Sequence, residues 1–304
     1  MKNLTVFGSF FEDLCGRGPY LPKPGETLIG STFTYGQGGK GSNQAVAAKR
    51  AGADVNMVTK TGNDPYGKLM LEFYKSEGIN SELVFRDSEN STGIALILVD
   101  ENTGENTILI VPGACHNITS ADVDSAEETI KNSDMLMVQM EVNMDATLKA
   151  IRIAHESNVP IIMNPAPAQK LDDSIFEMVD YMTPNETEAE ILTGIKTDSL
   201  KNIKLAADWL FEKGVKNIII TMGRDGVYIK NRFLGITVPA YRVKAVDTTG
   251  AGDAFNGCLA VALMEGLELT EAAKFANAGA ALSVTKIGTA LAMPYREEIE
   301  EFIR

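Results

Sequence analysis

The stretch MLMVQMEVNMDATLKAIRIAHESNVPIIMN, residues 135–164, decides the fold class, because it reads as strand, helix, strand. MLMVQM at 135–140 and PIIMN at 160–164 are short apolar runs bounded by polar residues, the pattern of strands buried on both faces. Between them, Ala146, Leu148, Ile151 and Ala154 recur at helical spacing along DATLKAIRIAHES. Working outward, similar apolar runs stand at 4–9 (LTVFGS), 55–60 (VNMVTK) and 217–223 (NIIITMG). Strand and helix alternate, so the expected fold is α/β, with a mostly parallel central sheet between helical layers.

One region breaks that rhythm. In TGIALILVDENTGENTILIVP, residues 92–112, two β-prone runs flank the turn-rich segment Asp100–Glu105, which predicts an antiparallel hairpin. With β-prone residues at 13–35, this hairpin is expected to form a small sheet standing off the main body as a lid. No linker of low complexity and no internal repeat divides the 304 residues, so a single domain, 1–304, with a β-lid from segments within about 13–35 and 92–112, is the expected organisation.

Composition narrows the chemistry. A formal net charge of −13 with no reversing run of Lys or Arg argues against nucleic acid and anionic membrane as partners, although a Mg2+-bound anion held by local backbone N–H groups remains compatible with it. The three cysteines, Cys15, Cys115 and Cys258, lack zinc-site spacing and read as reduced thiols, and only two histidines are present. Catalysis is therefore expected from carboxylates. No apolar segment approaches membrane-spanning length and the first residues lack a signal-peptide pattern, so the expected compartment is the cytoplasm.

Three clusters carry chemistry. Asp247-Thr248-Thr249-Gly250-Ala251-Gly252-Asp253 leads into the helical run AFNGCLAVALMEG, where unpaired N–H groups of a first helical turn would hold an anion. Asp253 would stand beside that anion and accept a proton from an attacking hydroxyl; taken alone, it reads equally as a helix-start residue. Gly36-Gln37-Gly38-Gly39-Lys40-Gly41-Ser42-Asn43-Gln44 contains GxGxxG, yet Lys40 is followed by Gly41, which excludes a P-loop; Lys40 and Asn43 suit sugar hydroxyls instead. TPNETEAE at 183–190 sets Asn185 and Glu188 three residues apart at a helix start, fit either for helix-dipole complementarity or for phosphate and hydrated Mg2+.

In order along nearly the whole chain, GSFFED (8–13), GGKGSNQAVAA (38–48), STGIAL (91–96), QMEV (139–142), NPAPA (164–168), TPNETEAE, TMGRDGV (221–227) and VDTTGAGDAFNG (246–257) resemble the ribokinase family of carbohydrate kinases. The resemblance implies an ATP-dependent kinase acting on the primary hydroxyl of a pentose, D-ribose giving D-ribose 5-phosphate, with 2-deoxyribose or another small sugar as the alternative. It implies Asp253 as catalytic base and Gly250, Ala251 and Gly252 as anion hole. Phe11, Asp13, Gly39, Lys40, Gly41, Asn43 and Glu141 would line the sugar site. Asn185, Thr221, Gly223, Asp225, Gly226, Gly252 and Asn277 would border ATP, and Glu188 would hold Mg2+ through water. Asp247, Thr249, Ser283, Lys286 and Gly288 match a monovalent-cation site, so K+ is the expected activator.

The chain departs from the family at Phe11, where Asn is usual, which makes Phe11 a candidate specificity residue favouring a deoxy sugar; at Ala292, where Ser is usual; and at Cys115-His116, where Asn is common. Two rival readings have less support: a non-catalytic sugar-binding relative, for which the base or anion hole would have to be lost, and a dinucleotide oxidoreductase, supported only by Gly36, Gly38 and Gly41. Exposed edges of the hairpin make a homodimer through the lid the expected assembly.

Overall fold

The computed structural model describes residues 2–304. Its strands are β1 (Asn3–Phe7), β2 (Phe11–Gly18), β3 (Thr32–Gly38), β4 (Asp54–Gly62), β5 (Val84–Asp87), β6 (Ile94–Asp100), β7 (Asn106–Val111), β8 (Met135–Val138), β9 (Ile161–Met163), β10 (Tyr181–Met182), β11 (Asn217–Thr221), β12 (Val227–Asn231) and β13 (Gly235–Val238). Helices are α1 (Lys40–Ala51), α2 (Pro65–Glu77), α3 (Ser120–Lys131), α4 (Met144–Glu156), α5 (Asp173–Met178), α6 (Glu186–Thr193), α7 (Leu200–Glu212), α8 (Ala251–Met264), α9 (Leu269–Ser283) and α10 (Arg296–Ile303).

The expected β8–α4–β9 unit forms, with β8 and β9 parallel and Asn143 capping α4 by accepting from the Ala146 amide at 2.9 Å. It sits inside a nine-stranded sheet of order β13-β12-β11-β10-β9-β8-β1-β4-β5, parallel except for the antiparallel edge from β11 to β13. Alternating side chains send Leu4, Val6, Met137, Ile162 and Ile219 into a core beneath α1, α2, α8 and α9, while Phe7, Leu136, Ile161, Met163 and Ile220 enter a second core beneath α3, α4 and α7. Helices on both faces explain why the strands read as unbroken apolar runs.

The small sheet is separate, with order β3-β2-β6-β7. Strands β6 and β7 form the expected antiparallel hairpin, and β2 joins β6 in parallel. Its N-terminal pair begins earlier and ends later than the 13–35 expectation, because β2 starts at Phe11 and β3 runs to Gly38, directly into α1. None of the helices among the described residues is long and apolar enough to cross a membrane.

Candidate active site

The carboxyl ends of β1, β8, β9, β10 and β11 meet the starts of α1, α6 and α8, the position where open α/β sheets bind ligands. Gly250 takes a left-handed conformation (φ 79°) immediately before α8. The Ala251 amide turns back to the Thr248 carbonyl at 3.3 Å and the Ala254 amide to Gly250 at 2.9 Å. Those bonds leave the Gly252 and Asp253 amides, among the described residues, without an acceptor at the positive end of the helix.

Two cavities meet at that turn. One, of about 520 Å3, has mostly apolar walls and includes Thr221, Gly223, Gly226, Gly252 and Asn277, five of the expected nucleotide residues. Asp225 does not join them: it lines a separate cleft with Glu186 and Thr197, and its carboxylate lies 4.0 Å from Arg242. The reason is local, since Gly223–Asp225 form a single 3-10 turn that points successive side chains in different directions. A smaller cavity of about 140 Å3 joins Lys40, Asn185, Glu188, Gly250, Ala251, Gly252 and Asp253.

Beside the smaller cavity lies a group of acids around one ammonium. Asn43 Nδ2 donates to Asp253 Oδ2 at 3.0 Å, and Gln44 Nε2 donates to Asp253 Oδ1 at 3.0 Å. The charge of Asp253 holds the Lys40 ammonium above its ordinary pKa, against the opposing effect of burial, with Glu141 and Glu188 adding to the attraction. Glu141 accepts from Ser9 Oγ and from the Lys40 amide at 2.8 Å; burial raises its pKa and Lys40 opposes the rise. Asp13 is pushed up to about 6 by burial, with a lowering contribution from Thr289 and raising ones from Glu141 and Asp253. Gly38 lies opposite the Asp13 carboxylate, in space that a Cβ would fill, and Gly39 (φ 85°) turns the chain from β3 into α1. Such a set of acceptors, with Asn43 Oδ1 buried and without a partner among the described residues, suits a polyhydroxy ligand whose O–H groups need acceptors.

At Asn185 and Glu188 a capping box forms: Asn185 Oδ1 accepts from the Glu188 amide at 2.8 Å and Glu188 Oε2 accepts from the Asn185 amide at 2.8 Å. Burial raises the Glu188 pKa, and Lys40 opposes the rise. Near the expected cation site, Asp247 accepts from the Thr249 amide at 3.0 Å and from the Gly288 amide at 3.2 Å, tying the two loops together. Ser283 Oγ is spent on the Ala280 carbonyl at 2.9 Å, and Lys286 Nζ turns to Glu298 at 2.8 Å.

Two expected sugar residues fall elsewhere. Phe11 is 2% exposed and belongs to the apolar cluster of Phe7, Val58, Cys115 and Ile118, so its ring is core rather than pocket wall. Gly41 is packed against the Gly8 and Ser9 backbone, where a Cβ would collide, and serves the approach of α1 to β1. Three side chains missed from the sequence, Gln44, Thr289 and Asn164, bond the acids or their neighbours; Gln44 and Asn164 stand inside GGKGSNQAVAA and NPAPA, where their polarity was the available signal.

A model of the pfkB family of carbohydrate kinases matches residues 1–296. The chain belongs to that family. As a carbohydrate kinase, this chain is 40% identical to the ribokinase of Haemophilus influenzae, covering 99% of this chain and 98% of the relative. Identity to a deoxyribokinase of Salmonella typhimurium is likewise 40%, over 99% of this chain and 98% of that one. The structure of an Arabidopsis thaliana ribokinase complexed with ribose and ATP superposes with a TM-score of 0.93 at 29% identity, covering 100% of this chain and 99% of that one. The carbohydrate-kinase fold, with its small sheet beside the acid cluster, is thus that of an ATP-dependent sugar kinase.

Proposed function

We propose that this kinase transfers the γ-phosphoryl group of ATP to the primary hydroxyl of D-ribose, with Asp253 as general base. The observation that carries the reading is the place of Asp253: it lies on the first turn of α8, beside the acceptor-less amides and at the junction between the apolar cavity and the acid cluster. ATP bound in the larger cavity would direct its γ-phosphate to the first turn of α8, whose amides and dipole stabilise charge on the transferring group. Asp13, Lys40, Asn43 and Glu141 orient the sugar from the opposite side. Asp253 takes the hydroxyl proton as the oxygen attacks phosphorus, the bond to the ADP oxygen breaks, and the small sheet keeps water away.

Glu188, which lines the smaller cavity with Lys40, Asn185 and Asp253, is the residue that would hold a hydrated Mg2+ ion. When bound, it would offset the phosphate charge. For K+, the Asp247 carboxylate and the carbonyls of Thr249, Ser283, Lys286 and Gly288 are the candidate ligands, and only carbonyls qualify at Lys286, whose ammonium pairs with Glu298. Residues 1–304 are read as one kinase domain in the cytoplasm, where ATP and reduced thiols coexist.

Replacement of Asp253 by Asn tests the base: sugar binding is expected to persist in calorimetry while turnover falls by about 10²–10⁴-fold. Turnover within a few-fold of the parent would end the assignment. The second reading is 2-deoxyribose as acceptor. It is supported by the deoxyribokinase relative, 40% identical over 99% of this chain. Comparison of kcat/KM for the two sugars, by ADP release, separates these readings.

The small sheet also supports a homodimer. Phe33 is 64% exposed and Leu109 59%, and with Tyr35, Leu14, Leu96 and Leu98 they fall on one face by strand register, a continuous apolar patch that a second copy would cover. Sedimentation of the parent chain as a dimer and of Leu109→Glu as a monomer is the expected result; a monomeric parent chain refutes the dimer.

A further inference from the structure

We propose that Gln44 is the positioning residue of the transfer step, fixing one oxygen of the Asp253 carboxylate so that only the other is presented to the sugar hydroxyl. This rests on the reading of Asp253 as base. Gln44 has no exposed surface, and three of its hydrogen-bonding valences are filled. Nε2 donates to Asp253 Oδ1 at 3.0 Å and to Asn164 Oδ1 at 3.1 Å, while Oε1 accepts from Gln139 Nε2 at 2.7 Å. Asn164 Nδ2 in turn donates to the Thr183 carbonyl at 3.0 Å. Flipping the Gln44 amide would set its oxygen against a carboxylate and lose these donors, so its neighbours determine the orientation.

The two oxygens of Asp253 are therefore in unlike settings. Oδ1 is bonded to an amide locked in a network that joins the carboxyl ends of β8, β9 and β10. Helices α1 and α8 touch at Gly257, where a Cβ would collide with Ala47 and the Gln44 carbonyl. Oδ2 is bonded to Asn43, whose own Oδ1 is buried without a partner among the described residues. The primary hydroxyl of the sugar can donate to Asp253 Oδ2 in place of the Asn43 amide, while another sugar hydroxyl donates to Asn43 Oδ1; Gln44, with no exposed surface and its amide bonded to three partners, stays on Oδ1. Gln44 thus limits rotation of the carboxylate at the moment its second oxygen accepts the proton, an orientation effect paid before the reaction.

Gln44→Glu and Gln44→Met, which keep the shape of the side chain, test this beside Asp253→Asn in the full-length chain. Measured quantities are kcat as a function of pH, Kd for ribose by calorimetry, and Tm. The groups facing Asp253 are Lys40, Asp13, Glu141 and Glu188, and they are unchanged in all three variants. For Gln44→Met, kcat is expected to fall by at least about tenfold, with Kd within roughly threefold of the parent, since orientation rather than binding is lost. For Gln44→Glu, the acid limb of kcat is expected to move to higher pH by about one unit or more, because two adjoining carboxylates do not readily ionise together. An unmoved acid limb, or a loss of ribose binding matching the loss of kcat, overturns the proposal and leaves Gln44 a packing residue. If Gln44→Glu fails to fold, the split between kcat and Kd in Gln44→Met decides alone. Full activity in Asp253→Asn would overturn the base and this proposal together; activity lost there, with both Gln44 variants behaving like the parent, overturns this proposal only.

Discussion

The Thr289 hydroxyl lies 3.2 Å from Asp13 Oδ2 and 3.0 Å from the Gln37 carbonyl oxygen, so the loop before α10 grips two strands of the small sheet at once. One proton is shared between two acceptors, and each bond is accordingly weaker than a full charge-assisted one. In Thr289→Val the carboxylate of Asp13 loses its anchor, and the sugar Kd is expected to rise by about fivefold, equivalent to roughly 1 kcal/mol, with a smaller change in kcat. Calorimetry with ribose checks it; an unchanged Kd would show that Asp13 is held by packing alone.

Asp13 also predicts a pH dependence. Burial pushes its carboxyl up to about 6, so it loses its charge, and one acceptor for sugar hydroxyls, as pH falls through that value. The kcat/KM for sugar is expected to decline below pH about 6, with the decline abolished in Asp13→Asn, whose value is low at every pH. A flat profile from pH 5 to 8 in the parent would contradict this.

Glu12, the neighbour of Asp13 on the opposite face of β2, has no exposed surface and, among the described residues, no partner for either carboxylate oxygen. Burial, with a contribution from Asp13, pushes it up to about 7. The folded chain therefore holds this proton more tightly than the unfolded one, whose carboxyl keeps its ordinary value near 4.5. Stability from this group is complete below pH 4.5 and is lost as pH rises through about 7. Glu12→Gln is expected to raise Tm at pH 8 and to change it little at pH 5. Equal changes in Tm at the two pH values would mean that the carboxylate finds a partner.

Phe11 is a core residue, and its truncation is expected to cost stability rather than change sugar preference. Phe11→Ala leaves a cavity in the cluster with Phe7 and Val58 and should destabilise the fold by about 3–5 kcal/mol, measured by denaturant unfolding. Phe11→Asn buries an amide there, and the ratio of kcat/KM for ribose over 2-deoxyribose should stay that of the parent. A ratio altered tenfold would place the residue in the sugar pocket after all.

Local sequence determined much of this protein. The 135–164 unit needed only the period of its apolar residues, because strands covered by helices on both faces require side chains that are apolar at every position. The Gly250–Asp253 turn was legible for a similar reason: a left-handed glycine, small residues and an acid at a helix start are all features of one short segment, and they form one side of the site. The order of motifs along the chain gave the family.

Tertiary structure decided what depends on two distant segments meeting. Alternation along β2 says that Phe11 and Asp13 share one face and Glu12 the other, yet only the packing of distant segments puts Phe11 in the core with Phe7 and Val58 while Asp13 reaches the acid cluster. Gln44 and Asp253 are 209 positions apart, as Thr289 and Asp13 are 276 apart, and no local propensity encodes bonds of that reach. They exist because α1 packs closely on α8 and because the last loop folds back over β3, and side-chain contacts made by such packing are fixed only when the whole chain has closed.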